Sequence, residues 1–306
     1  LNTARLRRRL QAAFAASGAS FLPRLRLITE LADDPLLTGT APPLSALGRR
    51  LELAVLIDRL LTADPTLAPR SALFDLADSL AGLMDEMRGE GVSPQALAAL
   101  DVSGHSAHWA RAQRFLALAQ EFFAEDARPD TEARQRQAVQ TLIARWQEQP
   151  PEDPVILAGS TGSRGTTALL MRAVAQLPQG AVVLPGFDFD LPGAVWDGMQ
   201  EPLVHEAHPQ FRLGGLLRAL DLRQVQRWTD APPPDPARNR LVSLALRPAP
   251  VTDQWIADGP GLGDLRAATG RMTLVEAPSP RAEAVAVAVA LREAVETGFS
   301  ACLISP

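Results

Sequence analysis

Residues 155–190, VILAGSTGSRGTTALLMRAVAQLPQGAVVLPGFDFD, decide the predicted fold. The apolar run 155–158 has no polar side, which predicts a strand covered on both faces. A Gly-rich turn follows, then an amphipathic helix for which Thr166 and Thr167 are candidate cap residues. The next apolar run, 181–184, predicts a second buried strand. This order predicts a βαβ unit inside an α/β domain with a parallel sheet.

The Gly-rich turn is a candidate anion-binding site, because the N–H groups at the start of a helix attract negative charge. The residues concerned are Gly159, Ser160, Thr161, Gly162, Ser163, Gly165 and Thr166. The turn does not fit a P-loop, since the sixth residue counted from Gly159 is Arg164 and the chain contains no lysine. The spacing of the glycines also differs from the dinucleotide fingerprint. A tight strand-to-helix turn without a ligand explains the same residues.

The composition is that of a globular protein. The chain has 306 residues, of which 46% are hydrophobic and 21% charged, enough for two domains or three lobes. Its single cysteine excludes an internal disulfide. No apolar run reaches the roughly 18 residues of a membrane span, and no signal peptide is visible, so we expect no membrane association. Because the sequence opens on Leu1 and stops at Pro306 directly after a strand-like run, we interpret it as a piece of a longer protein.

Positive charge is concentrated at the start of the chain. Six arginines and no acid precede Glu30, although the net charge of the whole chain is −5. Leu6, Leu10 and Phe14 mark the buried side of a predicted helix, which leaves its arginines on the exposed side. Such a face either contacts phosphates or is simply solvated. The candidate DNA-backbone contacts are Arg5, Arg8, Arg9, Arg24 and Arg26. Residues 25–29 predict a short strand.

Residues 44–147 are strongly helical, with four apolar stripes separated by prolines and glycines. A Pro-rich link at 149–154 ends this lobe. A second Pro-rich linker follows at 230–238, and 272–306 predicts another β-α-β segment. We therefore expect a helical lobe beside an α/β domain, with the start of a further α/β domain at the end.

No metal or catalytic constellation is predicted. The chain has two H-x-x-H pairs, at 105/108 and 205/208, but this spacing is one residue short of the i, i+4 spacing of helical zinc ligands. Asp188 and Asp190 alternate with phenylalanine, which is more typical of a loop anchored by its aromatic residues. Ser160 and Ser163 lack the G-x-S-x-G elbow of a hydrolase nucleophile.

Four strings together resemble the AddB family, the second subunits of bacterial AddAB helicase–nucleases, in their α-proteobacterial type. They are VILAGSTGS at 155–163, VLPGFD at 183–188, LALRPAP at 244–250 and EAPSPRAE at 276–283. The resemblance covers essentially the whole chain. It implies a parallel-sheet, P-loop-NTPase-like (superfamily 1 helicase-like) α/β domain with a large helical lobe. It further implies a role in recombination and DNA double-strand break repair, as a helicase-like part of an exonuclease complex.

The resemblance also assigns parts of the chain. Residues 1–43 with 155–265 would be the 1A-like domain, 44–154 the 1B-like helical lobe, and 272–306 a truncated 2A-like domain. Thr3 would touch single-stranded DNA.

The segment 155–159 falls where an active helicase has its magnesium-holding acid, but here Ala158 and Gly159 end the strand. The resemblance therefore implies no ATPase and no cofactor for this chain, which would not itself be an enzyme. It would bind single-stranded or duplex-end DNA and an AddA-type helicase–nuclease subunit, in the cytoplasm at the nucleoid. Two alternatives stay open: a nucleotide- or sugar-phosphate-binding enzyme that uses the turn 159–167, and a purely structural partner-binding subunit.

Overall fold

The computed structural model describes residues 1–18, 21–39, 44–93, 95, 96, 99, 130–162, 165–199, 201–220 and 225–304. The chain divides into two compact units, Leu1–Asp230 and Ala231–Pro306. This division falls within the Pro-rich linker predicted at 230–238.

Helices make up most of the described residues in both units. The helices and strands are numbered here in chain order. The first unit contains α1 (Ala4–Ala16), α2 (Pro35–Thr38), α3 (Ala46–Ala63), α4 (Leu73–Glu90), α5 (Thr131–Glu148), β1 (Val155–Ala158), α6 (Gly165–Gln176), β2 (Gly180–Val183), α7 (Gly193–Gly198), α8 (Pro202–His205) and α9 (Phe211–Ala219), with 3-10 turns at Ile28–Asp33 and Arg70–Ala72. The second contains α10 (Pro236–Ala245), α11 (Gln254–Asp258), α12 (Arg266–Thr269) and α13 (Pro280–Glu296), with 3-10 turns at Ala249–Val251 and Gly259–Leu262.

The predicted βαβ unit is confirmed. Strands β1 and β2 are parallel, with Val155 opposite Gly180 and Ala158 opposite Val183, and α6 connects them. Because the strands run in the same direction, their carboxyl ends meet at one edge of the sheet. The segments that follow both strands therefore start from that edge.

The predicted fold class is wrong. The described residues form one sheet of only two strands among many helices, which is not a parallel-sheet P-loop-NTPase-like α/β domain. Residues 25–27 have no regular structure and Ile28 opens a 3-10 turn, so the strand predicted at 25–29 is wrong too. The stretches 272–278 and 301–304 likewise pair with no strand in the described part of the chain.

Strand-like sequences form strands only where a partner supplies the hydrogen-bond ladder, and periodicity does not reveal the partner. Leu1 and Asn2 hydrogen-bond to the segment 26–28 and to the end of β1, as the start of a third strand would. The amino group of Leu1 donates to the carbonyl of Arg26 at 2.8 Å, and the N–H of Ile28 donates to the carbonyl of Leu1 at 3.0 Å. The N–H of Asn2 donates to the carbonyl of Ala158 at 3.3 Å. These bonds attach the start of the chain to the end of β1 but are too few to make a third strand.

One side of β1 is partly exposed in the described structure. Leu157 is buried, whereas Ile156, which points to the other face, is 53% exposed. The prediction of a strand covered on both faces therefore fails for β1, because the described helices cover only one of its sides.

A hairpin of α3 and α4 forms the first core. Leu53, Ile57 and Leu61 of α3, spaced by four residues, pack against Ala77 and Leu80 of α4. The predicted helices of this lobe are confirmed at α3, α4 and α5, whereas the stripe at 109–122 lies outside the described residues. A second core joins α5, β1, α6 and α9 around the buried residues Ile28, Val139, Leu157, Leu170, Met171, Val174 and Leu216.

A buried charge network fixes α5 to the hairpin. Asp130 caps α5 by accepting the N–H of Ala133 at 2.8 Å. The same carboxylate pairs with Arg49 of α3 at 2.7 Å and with Arg88 of α4. Burial, reinforced by the positive charge of Arg49, lowers the pKa of Arg88. The network pairs the buried charges of Arg49 and Asp130, and the half-buried charge of Arg88, with partners of opposite sign, as burial requires.

In the second unit, α10 packs beside α12. Asp235 caps α10 through the N–H of Arg238 at 3.0 Å, and the Arg238 side chain donates to the carbonyl of Ala268 at 2.9 Å. The cap bond, helped by the positive charges of Arg238 and Arg271, lowers the pKa of Asp235. By contrast, α13 has no buried residue within the described chain, although much of it is alanine and valine.

Candidate nucleic-acid interface

Helix α1 is anchored at the carboxyl edge of the sheet. Thr3 caps it by accepting the N–H of Leu6 at 3.2 Å through its hydroxyl oxygen, and the hydroxyl hydrogen can still donate to another acceptor. Leu6, Leu10 and Phe14 lie half-buried on one side of the helix. A Cβ added to Gly159 would lie 2.6 Å from the Cδ2 atom of Leu6. The helix therefore packs directly on the residue that follows β1.

Three arginines occupy the opposite side of α1. Arg5, Arg8 and Arg9 are exposed, and in a helix their spacing of three and four residues places them on one face. Over the described residues none of them forms an ion pair. We call Arg5, Arg8 and Arg9 the α1 arginine face. Its three guanidinium groups point to solvent and can reach phosphate oxygens.

Arg7 belongs to a different environment. Its guanidinium pairs with Glu30 at 2.5 Å, and the other oxygen of Glu30 accepts the N–H of Leu27 at 2.9 Å. The bond from the Leu27 N–H, followed by the bond from Arg7, lowers the pKa of Glu30. The positive cluster seen in the sequence is thus partly neutralised within the fold.

The two later arginines also differ from each other. Arg24 is exposed, whereas Arg26 pairs with Asp34 at 3.2 Å. The pair is itself largely exposed, so competition from a phosphate would cost little. Arg24 and Arg26 lie in the segment that follows α1. This segment hydrogen-bonds to Leu1, which precedes α1 in the sequence. The bond between Leu1 and Arg26 therefore brings the segment of Arg24 and Arg26 close to the start of α1.

The Gly-rich turn is tight and internally bonded. Gly159 and Gly162 have positive φ values of 84° and 68°, which L-residues rarely adopt. Ser160 is buried, and its hydroxyl accepts the N–H of Gly162 at 3.2 Å. Thr161 is half-buried, and Ser163 lies outside the described residues.

The start of α6 is already bonded to an acid of the chain. The N–H of Gly165 donates to the carboxylate of Glu90 at 2.9 Å, and the hydroxyl of Thr166 donates to the carbonyl of Gly89 at 3.1 Å. Sequence reasoning missed Glu90. Its only signal is its position between Gly89 and Gly91, which allows a helix end to approach another backbone closely.

The loop after β2 is a second feature of the same sheet edge. Asp188 turns it by accepting the N–H groups of Asp190 and Leu191 at 2.9 and 3.1 Å. The described residues contain no cluster of three metal-ligating side chains. His205 is buried and His208 accepts the N–H of Gln210 at 3.1 Å, while His105 and His108 lie outside the described residues.

Comparison of the chain with family models, with curated proteins and with solved structures found no match. In the described part of the chain, no helix is both long enough and apolar enough to cross a membrane.

Proposed function

We propose that this chain is a non-catalytic subunit that binds single-stranded DNA through the α1 arginine face, assisted by Thr3, Arg24 and Arg26. One observation carries the proposal: Arg5, Arg8 and Arg9 are exposed on one side of a helix, without an ion pair in the described chain. An arginine guanidinium binds phosphate oxygens through two parallel hydrogen bonds, so we expect contacts with the DNA backbone and not with the bases.

The remaining parts of the proposal rest on the sequence resemblance to AddB. They are an AddA-type helicase–nuclease partner, duplex-end DNA as a further ligand, a role in double-strand break repair, and a cytoplasmic location at the nucleoid. A catalytic helicase motor is not part of the proposal. The chain contains no lysine, and neither Ala158, the last residue of β1, nor Gly159 after it is an acid.

Salt dependence tests the DNA contact. Each phosphate neutralised on a single strand contributes about −0.7 to the slope of log K against log salt, so three or four contacts give about −2 to −3. We expect Arg5→Ala, Arg8→Ala and Arg9→Ala together to flatten this slope while the melting temperature stays nearly unchanged. Fluorescence anisotropy with a labelled oligonucleotide measures the slope.

The matched control removes the same charge elsewhere. Arg172, Arg212 and Arg240 are also exposed. Replacing these three by alanine changes the net charge equally and should leave most of the slope in place. If both triple variants behave alike, binding follows net charge only and the α1 arginine face is a solvated helix surface.

A further inference from the structure

The loop after β2 carries an ordered aromatic group. The rings of Phe187 and Trp196 stack with centroids 4.9 Å apart and planes 10° apart. Phe189 meets Phe187 edge-on, with centroids 4.8 Å apart. Three aromatic residues from a loop and a short helix thus form one continuous set of rings.

Gln210 holds this loop in place. Its side-chain nitrogen donates to the carbonyl of Gly186 at 2.9 Å, and its side-chain oxygen accepts the N–H of Asp188 at 3.2 Å. Gln210 is itself only 8% exposed. Together with the turn formed by the Asp188 carboxylate, these bonds fix the backbone on both sides of Phe187 and before Phe189. The loop is therefore built in advance and presents its rings without further ordering.

The outer side of the group faces solvent. The guanidinium carbon of Arg227 lies 4.2 Å from the centroid of Phe189. Phe189 is 39% exposed, and Trp228, next to Arg227 in the chain, is 72% exposed. A guanidinium that covers one ring offers its other side to a second flat group, and an exposed indole does the same. Phe189 stands on the fixed loop and Trp228 follows Arg227 directly in the chain, so both rings are available to a flat ligand group close to the same guanidinium.

We propose that Phe189, Arg227 and Trp228 form a stacking platform for the unpaired bases of a single-stranded nucleic acid. This inference rests on the proposed function and adds a base contact to its phosphate contact. Base stacking on aromatic side chains and arginine planes tolerates any sequence, because every base has a flat face.

Charge determines which part of the nucleic acid the platform takes. Asp190 and Asp230 follow Phe189 and Trp228 closely in the chain and are exposed. These carboxylates repel phosphate, so the platform suits bases, whereas the α1 arginine face suits the backbone. The two surfaces start from the same edge of the sheet, since Asn2 is bonded to Ala158 at the end of β1 and the loop begins after Val183.

Tryptophan, phenylalanine and arginine are also common in protein interfaces. Two probes of equal length and charge separate the possibilities: oligothymidylate and an abasic oligonucleotide with the same phosphates. We expect oligothymidylate to bind more tightly and to quench tryptophan fluorescence. Trp228→Ala should weaken oligothymidylate binding at least about fivefold and leave abasic binding unchanged. Phe189→Ala should act in the same direction.

Trp255→Ala is the control, because Trp255 is also an exposed tryptophan, at 50%, but belongs to the second unit. It should leave the preference for oligothymidylate intact. If the unmodified protein binds both probes equally and Trp228→Ala changes neither, the platform is not a base surface and a protein contact is the better explanation. If neither probe binds at all, the proposed function itself fails.

Discussion

The carboxylate of Glu90 accepts the backbone N–H of Gly165 at 2.9 Å, where the C-terminal end of α4 meets the first residue of α6. The start of a helix carries partial positive charge and attracts anions. Here the chain supplies the anion from a residue 75 positions away. The Gly-rich turn therefore joins the helical hairpin to the βαβ unit.

Removal of this carboxylate should weaken the junction. Glu90→Ala takes away the acceptor and the favourable charge at the start of α6, which should cost about 0.5–1 kcal/mol of the free energy of unfolding. Urea denaturation followed by circular dichroism measures the loss. Glu86→Ala, an exposed glutamate one turn earlier in α4, is the control and should change stability by less than about 0.5 kcal/mol. Equal effects would show that the contact contributes nothing.

Mg-ATP should not bind measurably to this chain. P-loop NTPases hold the phosphates of ATP with a lysine and its magnesium ion with an acid, and neither stands at the Gly-rich turn or at the end of β1. Isothermal titration calorimetry tests this directly. A dissociation constant in the low micromolar range would contradict the prediction and favour a nucleotide-binding enzyme.

Asp130 should matter far more than an exposed aspartate. Its side chain is only 5% exposed, and Asp130→Ala would leave Arg49 and Arg88 without their shared partner. Breaking a buried pair costs about 3–5 kcal/mol, and because Arg49 keeps its pair with Asp85 and Arg88 is 24% exposed, we expect a loss near the lower end of that range. Asp78 forms an exposed pair with Arg50 at 2.7 Å, so Asp78→Ala should cost less than about 1 kcal/mol. Thermal denaturation of the two variants side by side gives the comparison, and similar melting temperatures would argue against a buried network.

The bonds of Glu30 should appear in the pH dependence of stability. Its pKa is lowered in the folded chain, so the carboxylate contributes stability above its ordinary value of 4.5, and this contribution is lost as the pH falls through the lower folded pKa. Glu30→Gln should therefore reduce stability at pH 7 and make it less sensitive to acid below about pH 4.5. Urea denaturation between pH 3 and 7 measures this. Glu52→Gln, which changes an exposed glutamate of α3, is the matched control, and equal effects of the two variants would show that the bonds of Glu30 contribute nothing.

Local patterns in the sequence predicted local structure well. The spacing of Leu53, Ile57 and Leu61 identifies α3, and the apolar runs around the Gly-rich turn identify the parallel pair β1 and β2. In both cases the information lies within a single helix or a single βαβ unit.

Features that depend on distant residues were not predictable. The strand expected at 25–29 required a partner strand, and the described chain supplies only the hydrogen bonds of Leu1. Likewise, the pairing of Arg7 with Glu30 removes one charge from a cluster that looks uniform in sequence. For the candidate site, the sequence identified the arginines, but only the fold separates the exposed α1 arginine face from the paired residues.

Helix α13 has a practical consequence for anyone who produces this chain. Val285, Val289 and Val295 are 55%, 60% and 72% exposed on it, and Leu274 and Ile304 on either side are 86% and 87% exposed. Cellular chaperones and proteases recognise exposed hydrophobic surface of this kind as a sign of misfolding. We expect the chain made on its own to be retained by holdase chaperones, to bind hydrophobic dyes while its helices are intact, and to precipitate as its concentration rises.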